Sequence, residues 1–377
     1  MYCIYGADVY TPEAIGRQTI YISDEKIVAV DKGKPYGPLT EIIDGENLIV
    51  VPGFIDLHVH ITGAGGEAGM ASRTPELSIK AMLDAGITTV GGLLGTDTVT
   101  RSLENLLGKA RGLTEEGVSA VIYTGGYNFP SPTLTGNIRK DIFLIPEVHG
   151  VKLSLADHRS SYPERLEIER ILSDVRVGGM LRNKIFQLHI HIGDEMEKLS
   201  ILHRISEDRP HLAAHITATH LNRSEEVYQD GLLLVNKGAN MDISTGLTSK
   251  NLHADTLTAS EAVKRYVDKK LPLSNLTLSS DGNGSAAEYG IDGSIIGMSA
   301  SSLNSLYEEF KIIVQEKILP LEGALKLITC NPAVRLGLDK KGKIAEGMDA
   351  DILLLRKDLS IHSVIARGKC IYKNKDI

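Results

Sequence analysis

Side chains able to do chemistry appear first at 53–69, GFIDLHVHITGAGGEAG, where His58 and His60 stand one residue apart beside a glycine-rich turn that carries Glu67. Side chains of an extended chain alternate with a period of two, so both imidazoles lie on one side and converge. Such a pair fits a metal ion, and it equally fits a polar loop. More groups of ligand type follow: His191 just before Gly193-Asp194, His220 just before Asn222-Arg223, and Asp281 in SSDGNGS. Lys152 is a lone cation in the apolar run GVKLSLA, sharing a face with Ser154 and Ala156. One reading is a lysine snorkelling from the strand's beginning. The other is a buried amine that loses its proton and reacts with carbon dioxide, giving a carbamate whose oxygens can bridge two metals.

The other histidines read as structural. His215 has the opposite strand parity to His220 and should face outward, and His189 shares the parity of His191 but lies one layer deeper, so His191 is preferred as the ligand. His149, His158, His203, His211, His253 and His362 fall in loops or helix-like segments and read as solvated or capping side chains.

Elements must bring the candidates together. Eight apolar runs suit strands: 54–58, 87–94, 118–124, 150–156, 184–190, 213–220, 240–245 and 275–280. They alternate with helix-like stretches, the pattern of βα units around a parallel sheet. One such helix is expected over PELSIKAMLDA, capped by Thr74, with Pro75 and Glu76 in its first turn and Gly86 as its stop. The pattern predicts an α/β fold, a (β/α)8 TIM-type barrel over 51–339, with chemistry where the strands end. His58, His60, His191, His220 and Asp281 all fall at that rim. The β-like runs of 1–50 and 340–377 predict a small β domain built from both termini.

Composition narrows the partners. With 377 residues, 42% hydrophobic and 24% charged, the profile is that of an ordinary globular chain. A net charge of -7, from 41 basic and 48 acidic residues intermixed, gives no basic stripe for nucleic acid. Cys3, Cys330 and Cys370 are too scattered for a disulfide framework, and no leader or membrane-spanning run is read. A cytoplasmic protein, bound neither to nucleic acid nor to a membrane, is expected.

The constellation resembles the binuclear amidohydrolase superfamily: HxH after the first strand, a lysine on the fourth, histidines on the fifth and sixth, and an aspartate after the eighth. The tail NPAVRLGL with KGKIAEGMDADILLL fits the same superfamily. PGFIDLHVHITGAGGEAG, GLLGTDT, TGGY, GVKLSLADHRSS, HIGD, THLNR and LSSDGNGS together are similar to the isoaspartyl (β-aspartyl) dipeptidases. The resemblance covers nearly the whole chain, and His189 departs from it by standing where an apolar residue is expected.

The resemblance implies a zinc metallo-dipeptidase with two zinc ions per chain. His58, His60 and Asp281 would hold one ion and His191 and His220 the other, bridged by N6-carboxylated Lys152 and a hydroxide. It implies attack by that hydroxide with Asp281 as general base and acid, Tyr127 as donor to the oxyanion, and a homo-oligomer. Gly65, Gly66, Glu67, Thr96, Tyr127, Arg159, Arg223 and Ser285 would bind substrate. Glu67 suits an ammonium, and Arg159 and Arg223 suit carboxylates, as an isoaspartyl dipeptide would require. Each of these is singly also compatible with a solvated loop residue or a helix cap. Two alternatives stay open: a cyclic amidohydrolase of dihydroorotase or hydantoinase type, and a noncatalytic scaffold.

Overall fold

Short apolar runs flanked by turns become strands wherever a neighbour can take up their backbone groups, and here eight of them do so in sequence order. In the computed structural model, which describes residues 1–247, 254–289 and 295–373, these are β1 (Phe54–Val59), β2 (Ile87–Gly92), β3 (Ser119–Gly125), β4 (Val148–Leu155), β5 (Gln187–Ile192), β6 (Ile216–Thr219), β7 (Asn240–Ser244) and β8 (Leu276–Ser279). Each pairs with its successor in parallel, as the barrel prediction requires. Every residue of all but one of these strands is buried, the exception being the half-buried Ser119 that opens β3. Strands covered on both faces must be apolar outward, and here they are polar inward.

The seam is the irregular place. Between β1 and β8 the backbone contributes an isolated bridge, Val59 to Gly282, with the His60 amide donating to the Gly282 carbonyl at 2.9 Å. Asp56 supplies the rest. Its carboxylate accepts the Ser280 hydroxyl, the Ser280 amide at 3.2 Å and the His58 amide at 3.2 Å.

Both chain ends build the second sheet. Ile49–Pro52 pairs with Tyr2–Tyr10 on one side and with Ile352–Leu355 on the other, so the terminal segments meet at one strand that runs two residues past the expected limit at 50. Strand parity then divides the work: Ile352 and Leu354 enter the small sheet's own core, whereas Leu353 and Leu355 pack into the barrel's. Among the described residues no helix is long and apolar enough to cross a membrane, and the three cysteines are free. Two histidines expected in loops or helices lie in strands instead. His149 is buried on β4 with its ring nitrogens against the Leu336 and Pro146 carbonyl oxygens, and His362 lies in Ile361–Ala366. His253 lies outside the described residues.

One expected helix start is corrected. The helix is Ile79–Asp84, and Ser78 caps it by accepting the Ala81 amide at 3.4 Å. Thr74 is drawn off by a tertiary role: its hydroxyl accepts the Ala64 amide at 2.7 Å and donates to the Asn283 carbonyl at 2.8 Å, tying the loop after β1 to the loop after β8. Gly86 does end the segment, at φ +70°, where an added Cβ would meet Leu353 at 2.8 Å. Gly86→Ala should therefore lower unfolding stability by about 1 to 3 kcal/mol. Gly108 sits mid-helix in Leu103–Glu116, and a methyl group added there would find nothing within 4 Å among the described residues, so Gly108→Ala should raise stability by about 0.5 to 1 kcal/mol. Urea unfolding of both variants checks the pair, and a stabilising Gly86→Ala would contradict the packing described.

Candidate active site

Three donor atoms converge at the seam. The Nε2 atoms of His58 and His60 lie 3.3 and 3.2 Å from Asp281 Oδ1, and Lys152 Nζ lies 3.5 Å from His58 Nε2. Among the described residues, Asp281 Oδ1 is buried with no well-aligned hydrogen bond despite these neighbours. His220 joins them, since one ligand atom from each of His58, His220 and Asp281 falls within a 4.8 Å span. Both residues that follow strand ends adopt left-handed backbone, His220 at φ +65° and Asp281 at φ +52°. That conformation costs a non-glycine residue about 1 to 3 kcal/mol and is typical of functional sites.

Behind the ligand-type atoms, the opposite ring nitrogens are engaged. His58 Nδ1 lies 2.8 Å from His189 Nε2, His220 Nδ1 lies 2.6 Å from Ser244 Oγ, and His191 Nε2 lies 2.8 Å from Asp157 Oδ2. His191 differs in that its Nδ1 also has a partner, the Tyr127 hydroxyl at 2.8 Å. Lys152 lies in the middle of β4, which begins at Val148 rather than 150, and its ammonium is wholly buried. His215 faces outward as parity demands, with Nδ1 2.9 Å from the Phe186 carbonyl oxygen.

Burial sets the charges. It lowers His58 to about 3, aided by the Lys152 charge, and holds His189, His191 and His220 well below the usual imidazole range. It lowers Lys152 to about 7, against the opposing pull of Asp281 and Asp242. Burial alone would raise Asp281, but the surrounding His58, His60 and His220 outweigh it and keep that carboxyl well below the carboxylate norm. Neutral imidazoles, an ionised carboxylate and a deprotonatable amine are together the donor set of a divalent metal centre with room for an anionic bridge.

Above the cluster opens a cavity of about 560 Å³, walled by His60, Glu67, Thr96, Tyr127, Arg159, His191, His220, Arg223, Asp281 and Ser285. Four of these meet at one atom: Glu67 Oε1 lies 3.1 Å from Thr96 Oγ1, 3.2 Å from Ser285 Oγ and 3.4 Å from Arg159 NH1. Arg159 also grips Asp157 through Nε at 2.8 Å and NH2 at 2.7 Å, and Arg223 lies with Nε 2.7 Å from Asp194. The two forks expected for substrate are thus partly taken by protein carboxylates. Gly65 and Gly66, also expected at the substrate, lie beside Glu67 in a tight turn. Gly65 has φ +81°, and a Cβ added to it would lie 2.2 Å from the Ser72 carbonyl oxygen, while the Gly66 amide donates to Ser72 Oγ at 3.0 Å. Their place is in the turn that aims Glu67.

The amidohydrolase family profile matches residues 49–371. The chain belongs to the amidohydrolase family. It is similar over its whole length to the β-aspartyl dipeptidase of Fervidobacterium islandicum AW-1, crystallised with a β-Asp-Leu dipeptide: 39% identity, 99% of this chain and 97% of that chain covered, TM-score 0.90. The resemblance read from the motifs is borne out at that level. A D-hydantoinase structure, at 17% identity, covering 99% and 95% of the two chains with TM-score 0.71, shares the fold. A curated relative from Syntrophomonas wolfei, a 5-methylthioadenosine/S-adenosylhomocysteine deaminase, is 24% identical over 430 residues, 95% of this chain and 89% of its own. Family membership marks the chain as a hydrolase.

Sequence reading missed the supporting layer: Asp56, Asp157, Asp242 and Ser244. A periodic signal existed for part of it, since Asn240, Asp242 and Ser244 alternate along an otherwise apolar strand and must all point inward. Asp242 accepts the hydroxyls of Thr219, Thr277 and Ser279, each at 2.6 Å. Asp56→Ala would strand three buried donors at the seam and should cost about 3 kcal/mol or more, whereas Asp56→Asn keeps an acceptor oxygen and should cost clearly less. Denaturant midpoints compare the two, and equal losses would show that the seam does not depend on that acceptor.

Proposed function

We propose that the protein hydrolyses the β-aspartyl (isoaspartyl) peptide bond of dipeptides at a binuclear zinc centre. The observation that carries the reading is the meeting of Glu67, Thr96, Ser285 and Arg159 at one carboxylate oxygen on the cavity wall, above the His58, His60 and Asp281 cluster. A small zwitterion fits such a wall. Its free amine would pair with Glu67, and Arg159 and Arg223 would receive carboxylates with the donors their protein partners leave over.

His58, His60 and Asp281 would hold one ion and His191 and His220 the second, with carboxylated Lys152 between them. Bound there, two divalent ions supply a nucleophilic hydroxide near neutral pH and polarise the scissile carbonyl. Asp281, ionised and at the cavity floor, would take the proton of the attacking water and pass it to the leaving amine. Tyr127, whose hydroxyl is kept protonated by burial, would donate to the carbonyl oxygen as charge develops on it. The lowered Lys152 amine supports carbamate formation, because only the neutral form attacks carbon dioxide.

Metal analysis of the purified chain, with parallel assays of β-Asp-Leu, its α-linked isomer and cyclic amides, tests the reading. Two metals per chain and turnover of the β-linked dipeptide are expected; turnover of ring amides with none of β-Asp-Leu would overturn it in favour of a cyclic amidohydrolase, and a metal-free inert chain in favour of a scaffold.

Two variants probe the parts. Lys152→Ala should lose metal and activity together, with short carboxylates restoring part of both by replacing the bridging oxygens; full metal occupancy and near-normal rates would show the amine to be packing only. Glu67→Gln keeps the shape and removes the charge, so kcat/KM for an isoaspartyl dipeptide should fall about 10- to 150-fold, the worth of a charge-assisted contact of about 1.5 to 3 kcal/mol. The N-acetylated dipeptide, which has no ammonium, should be nearly indifferent to the same change. Equal losses on both substrates would assign Glu67 to the loop's structure.

A further inference from the structure

His189 has no part in the reading above, yet it touches a ligand-type histidine. It lies on β5 two residues below His191, almost wholly buried, on a rung with Lys152 of β4 and Thr217 of β6. Its ring is fixed from the side by Tyr123, stacked at 5.2 Å and 24°, and Tyr123 is itself anchored by donating to the Leu57 carbonyl at 3.0 Å, one residue from His58.

We propose that His189 is a positioning residue for the metal centre: its Nε2 accepts the Nδ1 proton of His58 and so holds His58 in the tautomer whose Nε2 lone pair faces Asp281 and Lys152. The inference rests on the metal centre of the proposed function and not on its substrate.

The N···N separation of 2.8 Å is a hydrogen bond, and one between two imidazoles contains one proton. Two arrangements exist. In the first, His58 carries its proton on Nδ1, and its Nε2 is bare toward the cluster. In the second, the proton sits on His189 Nε2, and neutral His58 must then carry its own proton on Nε2, 3.3 Å from Asp281 Oδ1, where it would bar a cation. Only the first allows His58 to act as a ligand. The same logic runs through the neighbours, since Ser244 backs His220 and Asp157 backs His191. His60 is the contrast, its Nδ1 being buried without a hydrogen-bond partner among the described residues. Of the pair that opens the sequence, His58 is therefore the one whose tautomer the protein enforces.

His58, His189 and Asp242 also bring ligand-type atoms within a 4.8 Å span, the spacing a further ion below the first would need. The Asp242 carboxylate is already occupied by three hydroxyls and the His58–His189 contact is already a hydrogen bond, so this layer is a proton-ordered support rather than a cation site.

The test uses the full-length chain and zinc. Dissociation constants are measured by competition with a chromophoric chelator for the unsubstituted protein, His189→Leu and His189→Gln, beside thermal unfolding of each metal-stripped chain. In the zinc-loaded unsubstituted protein, nitrogen-15 histidine spectra locate the shared proton. It is expected on His58 Nδ1, coupled to His189 Nε2. In His189→Leu one of two zinc ions should bind about 10- to 100-fold more weakly, with the metal-stripped unfolding temperature little changed. His189→Gln, whose amide oxygen can accept, should recover most of the loss. The proton found on His189 Nε2, zinc held as tightly in His189→Leu, or equal losses of zinc affinity and metal-stripped stability in both variants would each overturn the proposal. Should His189→Leu fail to fold, the proton's position decides alone. Failure of the unsubstituted chain to bind zinc would overturn the metal centre itself, and this inference with it.

Discussion

A parallel barrel has to close, and the closure between β1 and β8 is the constraint on which the site depends. His58 and His60 come from one side of that seam and Asp281 from the other, so their convergence exists only if the two strands stay in register. The backbone gives the seam little. An isolated bridge and one amide from His60 are supplemented by the Asp56 carboxylate, which accepts from Ser280 and from the His58 amide, and by Thr74, which links the loops that follow the two strands. A side-chain acceptor at a seam can fix register without a full ladder, because a buried donor left unpaired is costly. The same carboxylate thus closes the barrel and sets the height of His58.

Once closed, the barrel has a polar interior under an apolar exterior, and burial then acts on every titratable group inside. Imidazoles become neutral, and Lys152 falls to about 7. Asp56 and Asp242 rise to about 7 and about 6, burial outweighing their hydroxyl and amide donors. Asp281 alone among these carboxyls is driven the other way, because histidines surround it. One low-dielectric environment therefore produces neutral nitrogen donors and an ionised oxygen donor side by side, the combination a divalent cation favours.

The cavity above follows a second logic. Its wall comes from loops after several strands, and their side chains meet at Glu67, which the turn at Gly65 and Gly66 directs inward. Rigid strands hold the cluster at the floor while loops shape what lies over it, a division usual for barrels of this kind. Likeness over the full length to a β-aspartyl dipeptidase stands beside a likeness in fold alone to a hydantoinase.

Residue order along the chain was enough to reach the barrel, the rim and the ligand-type residues. A period of two put His58 with His60, sent His215 outward and set His189 beneath His191, because strand geometry is local and leaves its mark on adjacent residues. Motif resemblance supplied the family. Who stands behind each ligand was settled in three dimensions, since His189 reaches His58 across 131 positions and Ser280 reaches Asp56 across 224. So was the handover of the helix cap from Thr74 to Ser78, the tight turn through Gly65 and Gly66, and the sharing of the arginine forks with Asp157 and Asp194. Periodicity tells which way a side chain points; which distant partner it meets there depends on barrel closure and on loop paths, and neither is written in the spacing of residues along one strand.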